Sequence, residues 1–145
     1  ANPVTVGYAR SYLDAVLPPS QRHRASVEVG DAFDIPAPSN AYDVAHAALF
    51  LHHLHDDAPT RLLHEMDRLS GTGLLINDLH RHPLAYAGIW ALTRLARAAP
   101  MVQHDAPLSV ARGFRRAELA AIADRADLAP NFRWHWAFRW TLSTL

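Results

Sequence analysis

The sequence predicts a single three-layer α/β domain, and three observations support that fold class. Two apolar runs stop at acids: Val27-Glu28-Val29-Gly30-Asp31-Ala32 and Gly73-Leu74-Leu75-Ile76-Asn77-Asp78-Leu79. A third run, Tyr42-Asp43-Val44-Ala45-His46-Ala47-Ala48-Leu49, lies between them and leads into Leu51-His52-His53-Leu54. Segments of helical spacing separate the runs, and the chain closes on a period-two stretch. Apolar runs that end on polar residues are the pattern of parallel strands with a ligand at their carboxyl ends.

Taken in order, Val4 to Val6 reads as a short strand and Ser11 to Leu17 as a short helix ended by Pro18-Pro19. Ala25 to Val29 is rich in β-formers and reads as a strand, followed by the loop Pro36-Ala37-Pro38-Ser39-Asn40. Tyr42 to Leu49 is a buried strand. Asp57 stands where a helix cap belongs, with Pro59 in the first turn. Leu62, Leu63, Met66 and Leu69 form the helix stripe, Gly71 is its expected C-terminal cap, and Leu74 to Asn77 is the next strand.

A helix over about 83–98 places Tyr86, Ile89, Trp90, Thr93 and Arg97 on one side, yet most of its surface is apolar. Such a helix is buried, covers a ligand, or meets a partner, and a homodimer through it is one expectation. Phe114 to Ala126 forms a further helix with Leu119, Ile122 and Ala126 as its stripe. Phe132, Trp134, Trp136, Phe138, Trp140 and Leu142 then alternate with mostly polar residues, which requires strand. One long strand and a hairpin turning near Ala137 both fit, because no Gly, Asn or Pro marks a turn. Trp134, Trp136 and Trp140 are expected in the core.

The 145 residues fit one domain, 1–145, able to bury a real core. Lys and Arg number 14 against 14 Asp and Glu, so no basic stripe points to nucleic acid. Cysteine is absent, which removes disulfides and thiolate metal sites. The most apolar segment, Leu84 to Val102, carries Arg94 and Arg97 and makes a poor membrane span. A soluble, cytoplasmic protein is the expectation.

Between residues 27 and 81 the chain resembles the class I S-adenosylmethionine-dependent methyltransferases, in particular the small-molecule group of ubiquinone/menaquinone-type enzymes. The resemblance rests on Gly30-Asp31-Ala32, the Asp34-Ile35-Pro36 turn, Tyr42-Asp43-Val44, Leu51-His52-His53-Leu54, Glu65-Met66-Asp67-Arg68-Leu69 and Leu75-Ile76-Asn77-Asp78, in that order. Residues 82–145 are similar in pattern, as a helical lid insertion about 83–105, a helix and a closing antiparallel strand pair.

The resemblance implies a Rossmann-like fold and S-adenosylmethionine as cofactor. It implies that Asp31 accepts a hydrogen bond from the adenine amino group, a suitable task for an acceptor-only carboxylate. Ala32 offers a backbone N–H to an adenine ring nitrogen, Phe33 packs near the ring, and Ala47 and Ala48 approach the methionine portion. His53, Asp78 and His80 are the candidate catalytic residues at the strand ends, with His104 a weaker one. Methyl transfer needs alignment in a sealed site at least as much as it needs a base.

The sequence also departs from the family. The glycine-rich loop after the first strand is absent, since only Gly7 precedes Gly30. The acid that ends the second strand and holds the ribose is missing as well, the first acid being Asp14. The chain therefore reads as incomplete at its amino end and as lacking the first strand. A sequence with residues left out, or a degenerate relative that no longer binds the cofactor, would show the same departures.

Plain readings stand beside the functional ones. Asp31 also suits an Asx turn. His52-His53-Leu54-His55-Asp56-Asp57 has metal-ligand chemistry, but adjacent loop histidines rarely converge on one ion, so no metal is expected. Arg112, Arg115 and Arg116 suit a solvated face. The expected activity is methyl transfer to a small apolar or aromatic acceptor, and the alternative is a non-catalytic methyltransferase-like scaffold.

Overall fold

The computed structural model describes residues 3–145, which divide into two compact units, residues 3–36 and 37–145. In the first unit, α1 (Pro3–Val16) is one continuous helix. The strand expected at Val4 to Val6 is therefore helix: the three β-branched residues sit in the first turn of a segment whose Ala, Arg, Leu and Tyr residues tolerate helix well. Pro18-Pro19 does end it, and a short 3-10 turn follows over Pro19–Arg24. Ala25 to Val29 is extended but joins no strand. It is tied down by side chains instead, with Arg10 Nε donating to the Val27 carbonyl (2.8 Å).

In the second unit, β1 (Tyr42–Ala48), α2 (Ala58–Leu69), β2 (Ser70–Leu79), α3 (Pro83–Leu95), α4 (Pro100–Arg112), α5 (Arg116–Arg125), β3 (Asn131–His135) and β4 (Arg139–Ser143) follow in chain order. The sheet runs β1-β2-β4-β3. β1 and β2 are parallel, whereas β4 is antiparallel to both β2 and β3. Gly71 lies within β2, and the helix ends at Ser70 instead. A register shift between Tyr42 and Val44 accommodates one extra residue of β2 there. Gly73 is needed at that point, because a Cβ would sit 2.7 Å from Thr144 Oγ1, the hydroxyl that accepts from Leu74 N.

Burial along β2 alternates. Leu74, Ile76 and Asp78 are sealed while Leu75, Asn77 and Leu79 are half-exposed. Cross-strand partners share a face, so Leu142 and Phe132 lie beside Ile76, and Trp140 and Trp134 beside Asp78. The core forms on this face from Leu62, Leu63, Met66 and Leu69 of α2, Leu119, Ile122 and Ala123 of α5, and Leu51, Leu74, Ile76 and Leu142. Each such side chain contributes about 1.5–3 kcal/mol by leaving water.

The closing segment is a hairpin, β3 and β4 joined through residues 136–138, with Ala137 and Phe138 both left-handed (φ 64° and 58°). Turns of this hand usually use Asn or Gly. Here the Phe138 ring stacks on His82 at 5.0 Å and helps hold the strained backbone. The tryptophan stripe is not core: Trp134 is 48% exposed and Trp136 88% exposed, since both stand near the turn, beyond the reach of the helices. The segment expected to form a lid is a helix pair, α3 and α4. Its second helix, α4, runs to Arg112 and contains Pro107, a residue that argues against helix in a sequence.

Candidate active site

The chemistry-bearing side chains of the second unit gather at the carboxyl ends of β1 and β2. After β1 the chain reverses through Leu49 in the left-handed conformation (φ 53°), its N–H bonded to the Asn77 carbonyl at 2.9 Å. A single 3-10 turn, Leu51–His53, follows. After β2 the exit strand is clamped on both sides. His80 N donates to Phe138 O (2.9 Å), Phe114 N to Leu79 O (2.9 Å), and Arg81 N to Phe114 O (3.1 Å). Gly113 permits the Phe114 contact, because a Cβ there would meet the Leu79 carbonyl oxygen at 2.7 Å.

Asp78 is 1% exposed and its carboxylate is saturated. Oδ2 accepts from Leu51 N at 2.8 Å and His52 N at 3.4 Å, while Oδ1 accepts from Leu79 N at 2.7 Å. His52 Nδ1 meets Oδ1 at 2.7 Å. Asp78 thus fixes the Leu51–His53 turn against β2. An acid so enclosed positions its neighbours and has no free oxygen for a substrate proton.

The histidine that pairs with Asp78 is His52, which is 4% exposed. His53 packs against it at 4.1 Å between ring centroids and turns outward. Burial first, then His52, lowers the His53 pKa, with Asp78 opposing and Arg112 assisting.

His80 lies in a nest of rings. Trp134 Nε1 donates to its Nδ1 at 3.1 Å. His82, Phe138 and Trp140 stand 5.4, 6.1 and 5.3 Å away by ring centroid. Burial, then the neighbouring His82, lowers the His80 pKa. His104 pairs with the adjacent Asp105 on the exposed surface of α4.

The residues expected at the adenine lie in the first unit. Asp31 forms the Asx turn, Oδ1 accepting from Phe33 N at 3.0 Å, and pairs with Asp34 in an isolated bridge. One carboxylate oxygen is thus used within the turn, the local role that the sequence also allows for Asp31. Ala32 and Phe33 are half-buried beside it. Ala47 and Ala48 end β1 in the second unit, Ala47 half-exposed and Ala48 exposed. Among the described residues no three His, Asp or Glu side chains converge as a metal site. None of the described helices is long and apolar enough to cross a membrane.

Sequence reasoning missed His52, His82 and Phe138. The pairing of His52 with Asp78 spans 26 residues and leaves no local signal. The turn that brings Phe138 to His82 lacks the residues that announce turns.

A mixed sheet with parallel strands that end at this cluster, closed by an antiparallel pair, defines a Rossmann-like fold of the class I methyltransferase type. Residues 6–77 match the family described as the methyltransferase domain. The fold is shared with an S-adenosylmethionine-dependent methyltransferase from Aquifex aeolicus, at TM-score 0.68 and 16% identity over 98% of this chain and 63% of that one. TnmH is similar at TM-score 0.65 and 22% identity, over 98% of this chain and 40% of its own. A protein described as a possible exported protein from Bordetella parapertussis gives TM-score 0.64 and 16% identity, over 98% and 50%. The chain therefore spans 40–63% of the length of these structures. No curated protein matches it by sequence.

Proposed function

We propose that the protein transfers a methyl group from S-adenosylmethionine to a small apolar or aromatic acceptor. The observation that carries this reading is the set of strand ends in the second unit, where Asp78 holds the Leu51–His53 turn and aromatic rings surround His80. When bound, the cofactor supplies a methyl group already activated as a sulfonium. In this reading Asp31, Ala32 and Phe33 hold the adenine, and Ala47 and Ala48 border the methionine portion. His53 and His80 face the acceptor, and Asp78 positions them by fixing the backbone on either side. Both histidines are held toward their neutral forms, which avoids a cation beside a positively charged sulfonium. A cytoplasmic location and contact between two copies through α3, whose Leu84, Leu92 and Leu95 are exposed, belong to the same proposal.

Transfer of a labelled methyl group to a panel of phenols and quinols tests it. Label in the aromatic product that falls sharply in the Asp31→Ala variant is expected. A folded protein that transfers no label to any ring acceptor supports the scaffold reading instead.

A further inference from the structure

The direction of one hydrogen bond decides what His80 can do. An indole N–H only donates. Since Trp134 Nε1 donates to His80 Nδ1 at 3.1 Å, the neutral ring must carry its proton on Nε2. In this arrangement His80 has no lone pair to offer a ligand, and its free Nε2–H is a donor. No described residue accepts from that N–H.

Around it the rings are arranged as a surface. Phe138 stacks on His82 at 5.0 Å and meets Trp134 edge-on at 6.1 Å, while Trp140 presents its edge to His80 at 5.3 Å. Trp134 stays 48% exposed. The Nδ1 atoms of His80 and His82 are both occupied as acceptors, by Trp134 Nε1–H and by Leu84 N–H. The indole N–H of Trp140 is buried without a partner, and the Asp78 oxygens nearby are occupied by Leu51, His52 and Leu79.

We infer that His80, Trp134, Phe138 and His82 form a binding surface for a planar aromatic ring bearing an acceptor oxygen, with His80 Nε2–H donating to that oxygen. The inference deepens the proposed function, and rests on it for the nature of the acceptor. It assigns His80 the task of holding a phenolic or carbonyl oxygen rather than removing its proton. A ring that carries only donors, such as a benzylammonium ion, is disfavoured by the same geometry.

The experiment uses protein labelled with ¹⁵N-histidine at pH 8, probed with catechol and with benzylammonium. Long-range ¹H–¹⁵N spectra are expected to show the Nε2–H tautomer of His80, and saturating shifts with catechol but not with benzylammonium. His80→Phe should weaken catechol binding about tenfold, the loss expected for one good hydrogen bond. His80→Gln, whose amide N–H can stand near the Nε2 position, should recover part of the loss. An Nδ1–H tautomer, or catechol binding unchanged in His80→Phe, overturns the inference. S-adenosylhomocysteine titrated into the same sample separates the two proposals. Cofactor binding without a catechol shift at His80 removes the ring site alone, and catechol binding without cofactor binding removes the methyltransferase reading alone.

Discussion

The Asp78 carboxylate and the His52 imidazole meet at 2.7 Å in the interior, with side chains 1% and 3% exposed. The pair joins the end of β2 to the turn that follows β1, so two parallel strands finish at one fixed point. Breaking a buried pair by removing one partner leaves the other unsatisfied. Asp78→Ala is therefore expected to lower stability by about 3–5 kcal/mol in urea unfolding. A loss below about 1 kcal/mol would mean that the pair does not hold the turn.

The hairpin separates core from rim within a few residues. Leu142 is 0% exposed, and Leu142→Ala should cost about 2–5 kcal/mol through lost burial and the cavity left behind. Trp136 is 88% exposed, so Trp136→Ala should change stability by no more than about 0.5 kcal/mol. Paired denaturant curves check both, and a large loss at Trp136 would return the tryptophan stripe to the core.

Two glycines make opposite predictions. At Gly113 a Cβ would stand 2.7 Å from the Leu79 carbonyl oxygen and 3.0 Å from the Leu79 Cβ, so backbone must move. Gly113→Ala should destabilise by about 1–3 kcal/mol. Gly88 lies inside α3 with nothing within 4 Å of its Cβ position. Gly88→Ala should stabilise by about 0.5–1 kcal/mol through helix propensity. Thermal unfolding of the two variants provides the comparison.

His53 and His80 both titrate below their ordinary value of 6.5, each chiefly because of burial. As pH falls through 6.5 the unfolded chain takes up protons at these positions before the folded one does. The protein should therefore be more stable at about pH 7.5 than at about pH 5.5, the contribution being lost as acid is added. His82→Ala removes the neighbouring imidazole that opposes charging of His80 and should move its titration upward, toward 6.5. Histidine Cε1–H shifts followed across this range check the direction.

Much of the second unit was legible in the sequence because its signals are local. The Leu62-Leu63-Met66-Leu69 stripe and the apolar run into Asp78 follow from spacing alone, and so does the strand at Tyr42–Ala48, although it is largely exposed where a buried strand is expected. The failures share a different cause. Val4 to Val6 looked like strand because a short window sees β-branching and not the 14-residue helix that contains it. α4 was hidden by Pro107, and the hairpin by the use of Ala137 and Phe138 where glycine or asparagine is normal. At the site, Asp78 and His80 were found as strand-end residues. Their roles depend on Leu51, His52 and Trp134, which lie 26 to 54 residues away along the chain.

Calorimetric titration with S-adenosylhomocysteine tests the proposed binding of S-adenosylmethionine through the Asp31 turn. Saturable one-to-one binding is expected, weakened about tenfold by Asp31→Ala, the effect of one hydrogen bond to a charged acceptor, with an unchanged circular dichroism spectrum. A folded protein that releases no binding heat, or binding that ignores Asp31→Ala, would contradict it.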